Sequence, residues 1–372
     1  MQPRVLVPRP MRRSPLNWRR AMPNDDAEQP SAIRRGRGLR LSTEGAADAQ
    51  AEPSEAAPEQ PARRGRGLRL STEGAADAQA EAEAEAEAPP AFALQRESIK
   101  TAYGSMSYLT GGTGTMPLVM LHGWGASARI WTDVAAALAE RRKLVLLDLP
   151  GSGGTPARVT IPTLTALANE VLDAIDALGL ERFELLGHGL GAATAALVAG
   201  QLHRRVSRVA LLGMGIRSFA PDLLAMGLAR LPFDISVGMA RPLLNFWQPF
   251  NRAFMQSPPM ERSMSSALLH DKPVAQQLWQ DYLSDLAHAD ARVYMTWLTM
   301  PGEPALHTAL SDISVPTLCI AGREDLVVRL AEAKDAYMRV PGSELLVLDK
   351  CGHMLMVEQP EALHAALRDF FK

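Results

Sequence analysis

Residues 182–202, RFELLGHGLGAATAALVAGQL, constrain the fold more than any other stretch of this chain. The apolar run RFELLGHG (182–189) ends in glycine, as a buried strand of a parallel sheet does. The segment after it, LGAATAALVAGQL (190–202), is apolar or small all round. A helix with no polar face has to be buried, here against the sheet that the strand belongs to. A buried strand running straight into a buried helix is the repeating unit of α/β architecture.

The same alternation extends to both sides. ESIKTAY and SMSYLTGG read as an entering hairpin, PLVMLHG (117–123) as a strand and ARIWTDVAAALAER as a helix. KLVLLDLPG (143–151) is the next strand, 161–179 an amphipathic helix and RVALLGMG (208–215) another strand. VPTLCIAG, a helix, SELLVLDKCG and a final helix from Pro360 complete the pattern. The expected fold is α/β, a doubly wound, mostly parallel sheet built from 96–217 and 309–372. Between these parts, residues 218–308 are rich in Met, Leu, Pro and Trp and carry no strand pattern. They are expected to form short helices, a helical cap over the C-terminal edge of the sheet. Some of their apolar side chains bury the cap and others line a pocket, and the sequence does not sort the two.

Residues 1–95 differ in kind. They contain no lysine and much Arg, Ala, Glu and Pro, and the 19-residue block RRGRGLRLSTEGAADAQAE occurs at 34–52 and again at 63–81. Such a segment buries too little apolar surface to offset its ordering entropy, so a disordered arm is expected. An alternative role for the arginine clusters is weak docking on an anionic partner: an acidic protein, RNA or an anionic membrane. Acidic residues follow each cluster and count against it.

The formal net charge of −2 gives the core no general attraction for nucleic acid. Two cysteines make no disulfide framework, and no two of the eight histidines stand three or four residues apart, so neither a metal nor another cofactor is expected. No apolar run reaches the length of a membrane span, and the N-terminus lacks the apolar stretch of a secretory signal; a reduced, cytoplasmic location is the expectation.

Four motifs carry a family resemblance: HGWGAS (122–127), DLPGSGGT (148–155), Gly187-His188-Gly189-Leu190-Gly191, and the pair AGREDLVV with KCGHMLMVEQPE. In this order and spacing they resemble the α/β-hydrolase fold superfamily, within it the capped esterase, lipase and C–C hydrolase branch. The resemblance covers about 97 to 372. It implies that Asp325 is the acid and His353 the base of a catalytic triad, and that the backbone amides of Trp124 and Leu190 form an oxyanion hole. It also implies a serine nucleophile in the frame G-x-S-x-G, and the residue at that position is Gly189. Glycine cannot attack a carbonyl. It adopts the positive φ of such an elbow at little cost, so its presence there relieves strain. Ser127, Ser152 and Thr194 are near in sequence but off the elbow; His122, His188, Asp148 and Cys351 read as structural groups.

Three functions from different classes follow. The first is a nucleophile-less homologue that binds a small apolar or ester-like molecule under its cap. The second is an enzyme in which the His353–Asp325 dyad activates water or abstracts a substrate proton. The third, more distant, is an interaction protein acting through its Arg-rich arm.

Overall fold

The computed structural model of the chain describes residues 92–158, 163–217, 250, 252–254, 256–290, 293 and 302–372. They are organised by a sheet of β1 (Gln95–Thr101), β2 (Gly104–Gly111), β3 (Met116–Leu121), β4 (Arg142–Leu147), β5 (Phe183–His188), β6 (Val206–Leu212), β7 (Thr317–Gly322) and β8 (Glu344–Leu348). The order across it is β1-β2-β4-β3-β5-β6-β7-β8. β2 is antiparallel to both of its neighbours, and the remaining pairs are parallel. The doubly wound, mostly parallel sheet is therefore as the sequence implied, with β1 and β2 as its entering hairpin.

Both faces are covered because the strands carry two apolar sets with a period of two. Val119 and Leu121 of β3 enter one cluster with Val145 and Leu147 of β4. Leu118 and Met120 enter the other with Leu144 and Leu146. The first cluster is closed by α2 (Leu164–Ala177), α3 (Leu190–Gln201), α6 (Pro304–Asp312) and α7 (Leu330–Arg339). The second is closed by α1 (Thr132–Leu138), the short α8 (Leu355–Glu358), α9 (Pro360–Phe370) and parts of α4 (Pro258–Leu268) and α5 (Gln276–His288).

α3 is the helix with no polar face, and every residue from Leu190 to Ala199 is buried. It lies unusually close to the sheet. A Cβ on Gly191 would stand 2.1 Å from the carbonyl oxygen of Leu121, and one on Gly187 2.3 Å from that of Gly191. α6 packs on the outer side of α3, where a Cβ on Gly200 would be 2.8 Å from the Ala309 carbonyl.

Three boundaries differ from the sequence reading. α6 begins at Pro304, so the helix runs across the expected division at 308/309 and residues from 304 pack with the core. Proline at the first helical position marks that start. α2 begins at Leu164 rather than 161, with the Thr163 hydroxyl accepting from Ala166 N at 3.0 Å and the Glu303 carboxylate from Leu164 N at 2.6 Å. β1 already includes Gln95. Except for 92–95, the arm and its duplicated block lie outside the described residues, as do 218–249 and 294–300 of the insertion.

The described part of the insertion is helical, and it is bonded to the loops that leave the sheet. Asp285 of α5 accepts from Ser127 Oγ at 2.6 Å and pairs with Arg129. The Leu268 carbonyl at the end of α4 accepts from His353 N at 2.8 Å, and that of Val357 accepts from Val274 N and Ala275 N. The buried Glu358 carboxylate accepts from His270 N at 2.7 Å and Gly352 N at 2.8 Å. Among the described residues, no helix is long and apolar enough to cross a membrane.

The close approach of α3 yields a stability prediction. Gly191→Ala forces its methyl into a strand carbonyl and should destabilise by about 3 kcal/mol or more. Gly179→Ala, at a positive φ with open space around it, should lose only about 1 kcal/mol. Urea unfolding of the two variants beside the parent measures the contrast.

Candidate active site

β4 and β5 flank β3 on opposite sides and run parallel to it, so the direction in which strands are added across the sheet reverses at β3. The loops that follow β3 and β5 therefore open side by side at the C-terminal ends of the strands, where α/β sheets place their ligands. The loop after β3 holds Gly123 to Ser127. The turn after β5 is Gly189, with φ 52° and ψ −114°, which feeds directly into α3. Gly189 N donates to the Leu212 carbonyl at 2.9 Å, and its own carbonyl accepts from Ala192 N and Ala193 N at 3.1 Å. The Leu190 amide is the first of α3 and has no carbonyl within the helix to bond.

β7 and β8 deliver the other half. Asp325 follows β7 and His353 follows β8. His353 Nδ1 donates to Asp325 Oδ2 at 2.8 Å, while Asp325 Oδ1 accepts from Val327 N and Val328 N, each at 2.8 Å. Burial pushes the Asp325 carboxyl up. The imidazole beside it and the two backbone donors outweigh burial, and the net is below the ordinary carboxylate value. With Nδ1 bonded to the acid, Nε2 is the nitrogen turned toward Gly189. A Cβ built on Gly189 would lie 3.5 Å from His353 Nε2, with Gly123 Cα next at 3.9 Å. Among the described residues nothing is hydrogen-bonded to Nε2.

His188 packs against His353 with ring centroids 4.7 Å apart, and its Nε2 donates to the His353 carbonyl at 2.9 Å. Burial first, and the neighbouring imidazole second, push His188 down to about 3. It stays neutral at ordinary pH and holds the His353 loop in place. His122 is likewise buried and pushed down by burial. It bonds the Gly123 carbonyl and accepts from Leu149 N, both at 2.9 Å, tying the loop after β3 to the one after β4. Asp148 reinforces that tie: it accepts from Ala128 N at 2.8 Å and Gly154 N at 2.9 Å and pairs with Arg96.

The other hydroxyls and thiols offer no substitute on the elbow. Thr194 Oγ1 donates to the Leu190 carbonyl at 2.9 Å, and Ser127 Oγ is engaged by Asp285. Cys351 is fully buried, and burial pushes its thiol up. The Cys319 thiol is pushed up to about 12 for the same reason. Among the described residues no three His, Cys, Asp or Glu side chains are grouped to hold a metal ion.

Gly189, Leu190, Trp124 and His353 line one cavity of about 220 Å³, and Asp325 sits behind His353. The structure thus brings together all five residues singled out in the sequence. The rest of the wall is largely apolar, from Val327 and Val328 of the core and from Met264, Leu268 and Tyr282 of the insertion. Tyr282 was beyond sequence reasoning: it stands in the stretch LLHDKPVAQQLWQDYL, whose helical apolar pattern predicts burial but not what is faced.

Burial of a neutral histidine predicts a pH effect. His188 titrates near 3 in the fold and near 6.5 when unfolded. Between these values the unfolded chain binds the extra proton, so the His188 contribution is complete above about pH 6.5 and is lost as pH falls toward 3. Between about pH 7.5 and 5 the parent should lose roughly 2 kcal/mol that His188→Gln does not lose. Urea unfolding of both proteins at the two pH values measures the difference.

Comparison with known proteins agrees with this geometry. The chain matches the family described as alpha/beta hydrolase fold over residues 116–360. It is 30% identical over 256 residues to the biotin biosynthesis bifunctional protein BioHC of Cellvibrio japonicus, covering 68% of this chain but only 47% of that protein. It is 28% identical over 275 residues to 2-hydroxy-6-oxononadienedioate/2-hydroxy-6-oxononatrienedioate hydrolase 2 of Pseudomonas putida, covering 70% of this chain and 89% of the relative. The enol-lactonase of Burkholderia xenovorans LB400 superposes with a TM-score of 0.59 at 20% identity, over 74% of this chain and 99% of that one. With its sheet order, its turn at Gly189 and its matched span, this chain belongs to the alpha/beta hydrolase fold family.

Proposed function

We propose that this protein is an α/β-hydrolase homologue that has given up covalent catalysis and binds a small apolar or ester-like molecule in the cavity above Gly189. The insertion serves as the cap over that molecule. One observation carries the reading: the missing side chain at 189 would start 3.5 Å from His353 Nε2, in space that nothing else fills. A hydroxymethyl group there would complete an acid–base–nucleophile array. Glycine leaves the pocket, the His353–Asp325 pair and the amides of Trp124 and Leu190, but no atom to form an acyl-enzyme.

A second reading rests on the unengaged Nε2 of His353, which faces the cavity while Asp325 holds Nδ1. The dyad would act as a general base on a water taking the place of the hydroxyl, and the two amides would receive the developing oxyanion. Hydrolases stripped of a triad member keep roughly 10³–10⁴-fold catalysis over water, so this route is slow. In either case the ancestral chemistry is that of ester, acyl or C–C bond hydrolysis.

The test is hydrolysis of p-nitrophenyl butyrate by the full chain, Gly189→Ser and His353→Ala. Gly189→Ser should exceed the parent on the order of 10²-fold or more, with a butyryl adduct on the introduced hydroxyl visible by mass spectrometry. A serine variant that neither turns over nor acylates would refute the first reading. Parent turnover that His353→Ala removes would establish the second instead.

A further inference from the structure

Among its described residues, the insertion contributes one polar side chain to the cavity wall. Tyr282, on α5, is 2% exposed and lines the cavity with Gly189, Leu190, Trp124 and His353. Its hydroxyl is 3.4 Å from the position a Cβ on Gly125 would take, which sets it against the loop whose Trp124 lines the same cavity. No described residue is hydrogen-bonded to that hydroxyl, and yet it is not among the sealed, unpartnered polar atoms of the interior. It is a buried phenol with its oxygen open to the cavity. A buried hydroxyl without a partner is unfavourable by about 1–3 kcal/mol, and a ligand oxygen removes that penalty.

The ring cannot turn away to find another partner. It stacks on Trp279 at 5.4 Å and packs among Leu278, Leu283 and Leu286. Ser127 and Arg129 fix α5 itself through Asp285, one turn further along the same helix. Burial and the Asp285 carboxylate both push the phenol up, so it remains protonated and presents a donor. No arginine or lysine is found among the described residues of the wall, so they offer a ligand carboxylate no cation to offset its loss of water.

We infer that Tyr282 is the ligand-orienting hydrogen-bond donor of the cavity, and that the ligand is a neutral carbonyl compound whose oxygen bonds the Tyr282 hydroxyl between apolar groups. This rests on the reading of the cavity as a binding site and narrows it to a chemical class.

The test compares three probes of one size on the full chain: butyrophenone, n-butylbenzene, which is the same shape without the oxygen, and 4-phenylbutyrate, which carries a charge. Binding is read by calorimetry for the parent and for Tyr282→Phe. The parent should prefer the ketone over the hydrocarbon by about fivefold or more, and should bind the carboxylate least. In Tyr282→Phe the ketone preference should vanish while n-butylbenzene binds as well as before, which shows that the cavity is intact. Persistence of the ketone preference in Tyr282→Phe would overturn the role of Tyr282. Tightest binding of 4-phenylbutyrate would overturn the neutral class. Failure of the parent to bind any of the three would overturn the cavity reading itself, a result distinct from both.

Discussion

The contact between the start of α3 and the ends of β3 and β5 sets the rest of the site. Helix and strands meet backbone to backbone, which only glycine permits at 187 and 191. This approach fixes the start of α3, where Leu190 lines the cavity, and sets the turn at Gly189 facing His353. The three glycines of the motif are not equivalent. At 187 and 191 a side chain would enter a carbonyl at less than 2.5 Å, whereas at 189 its nearest neighbour would be an imidazole nitrogen at 3.5 Å. Packing demands the first two. The third meets no steric demand; its one structural benefit is freedom from strain at φ 52°.

The persistence of His353 and Asp325 beside that glycine has a structural explanation that needs no turnover. Asp325 receives Val327 N and Val328 N and so caps the segment leading into α7. The His353 backbone is bonded on one side to Leu268 of the insertion and on the other to the His188 ring. Removing either side chain would leave a buried partner unsatisfied, so the pair stays assembled by the same forces that hold the fold. The fold alone thus accounts for the dyad's geometry, whether or not the pair moves protons.

Much of this was legible in the sequence because it is written in local patterns. Apolar runs ending in glycine marked the parallel strands, the apolar surround of 190–202 marked a central helix, and the order of the four motifs marked which loops meet. The residues those motifs singled out do line one cavity or stand directly behind its wall. What stayed hidden depends on partners far along the chain. Thr163 and Glu303 set the start of α2 together, and α6 belongs with the core because Ala309 packs on Gly200. Neither is visible in a window of ten or twenty residues. The role of Tyr282 is hidden for a different reason. Helical periodicity in the insertion predicts which residues turn inward, and a phenol in a pocket wall gives the same pattern as one in a sealed core.

The electrostatics of the cavity point to the kind of ligand it can hold. Among the described residues its wall carries the start of a helix, the loop residue Trp124, a phenol and two imidazoles, one with its far nitrogen tied to a buried carboxylate. The donors among them are neutral dipoles, fixed in place and surrounded by valine, leucine and methionine. Dipoles of this kind gain strength as water is excluded, but they do not offset the desolvation of a full charge. They suit a ligand that is neutral on arrival and polarised at one oxygen. In a triad enzyme the polarisation precedes attack by a serine. On the proposed reading, with glycine at 189, a bound carbonyl would still feel it, and the interactions a triad enzyme strengthens in the transition state would serve ground-state binding instead.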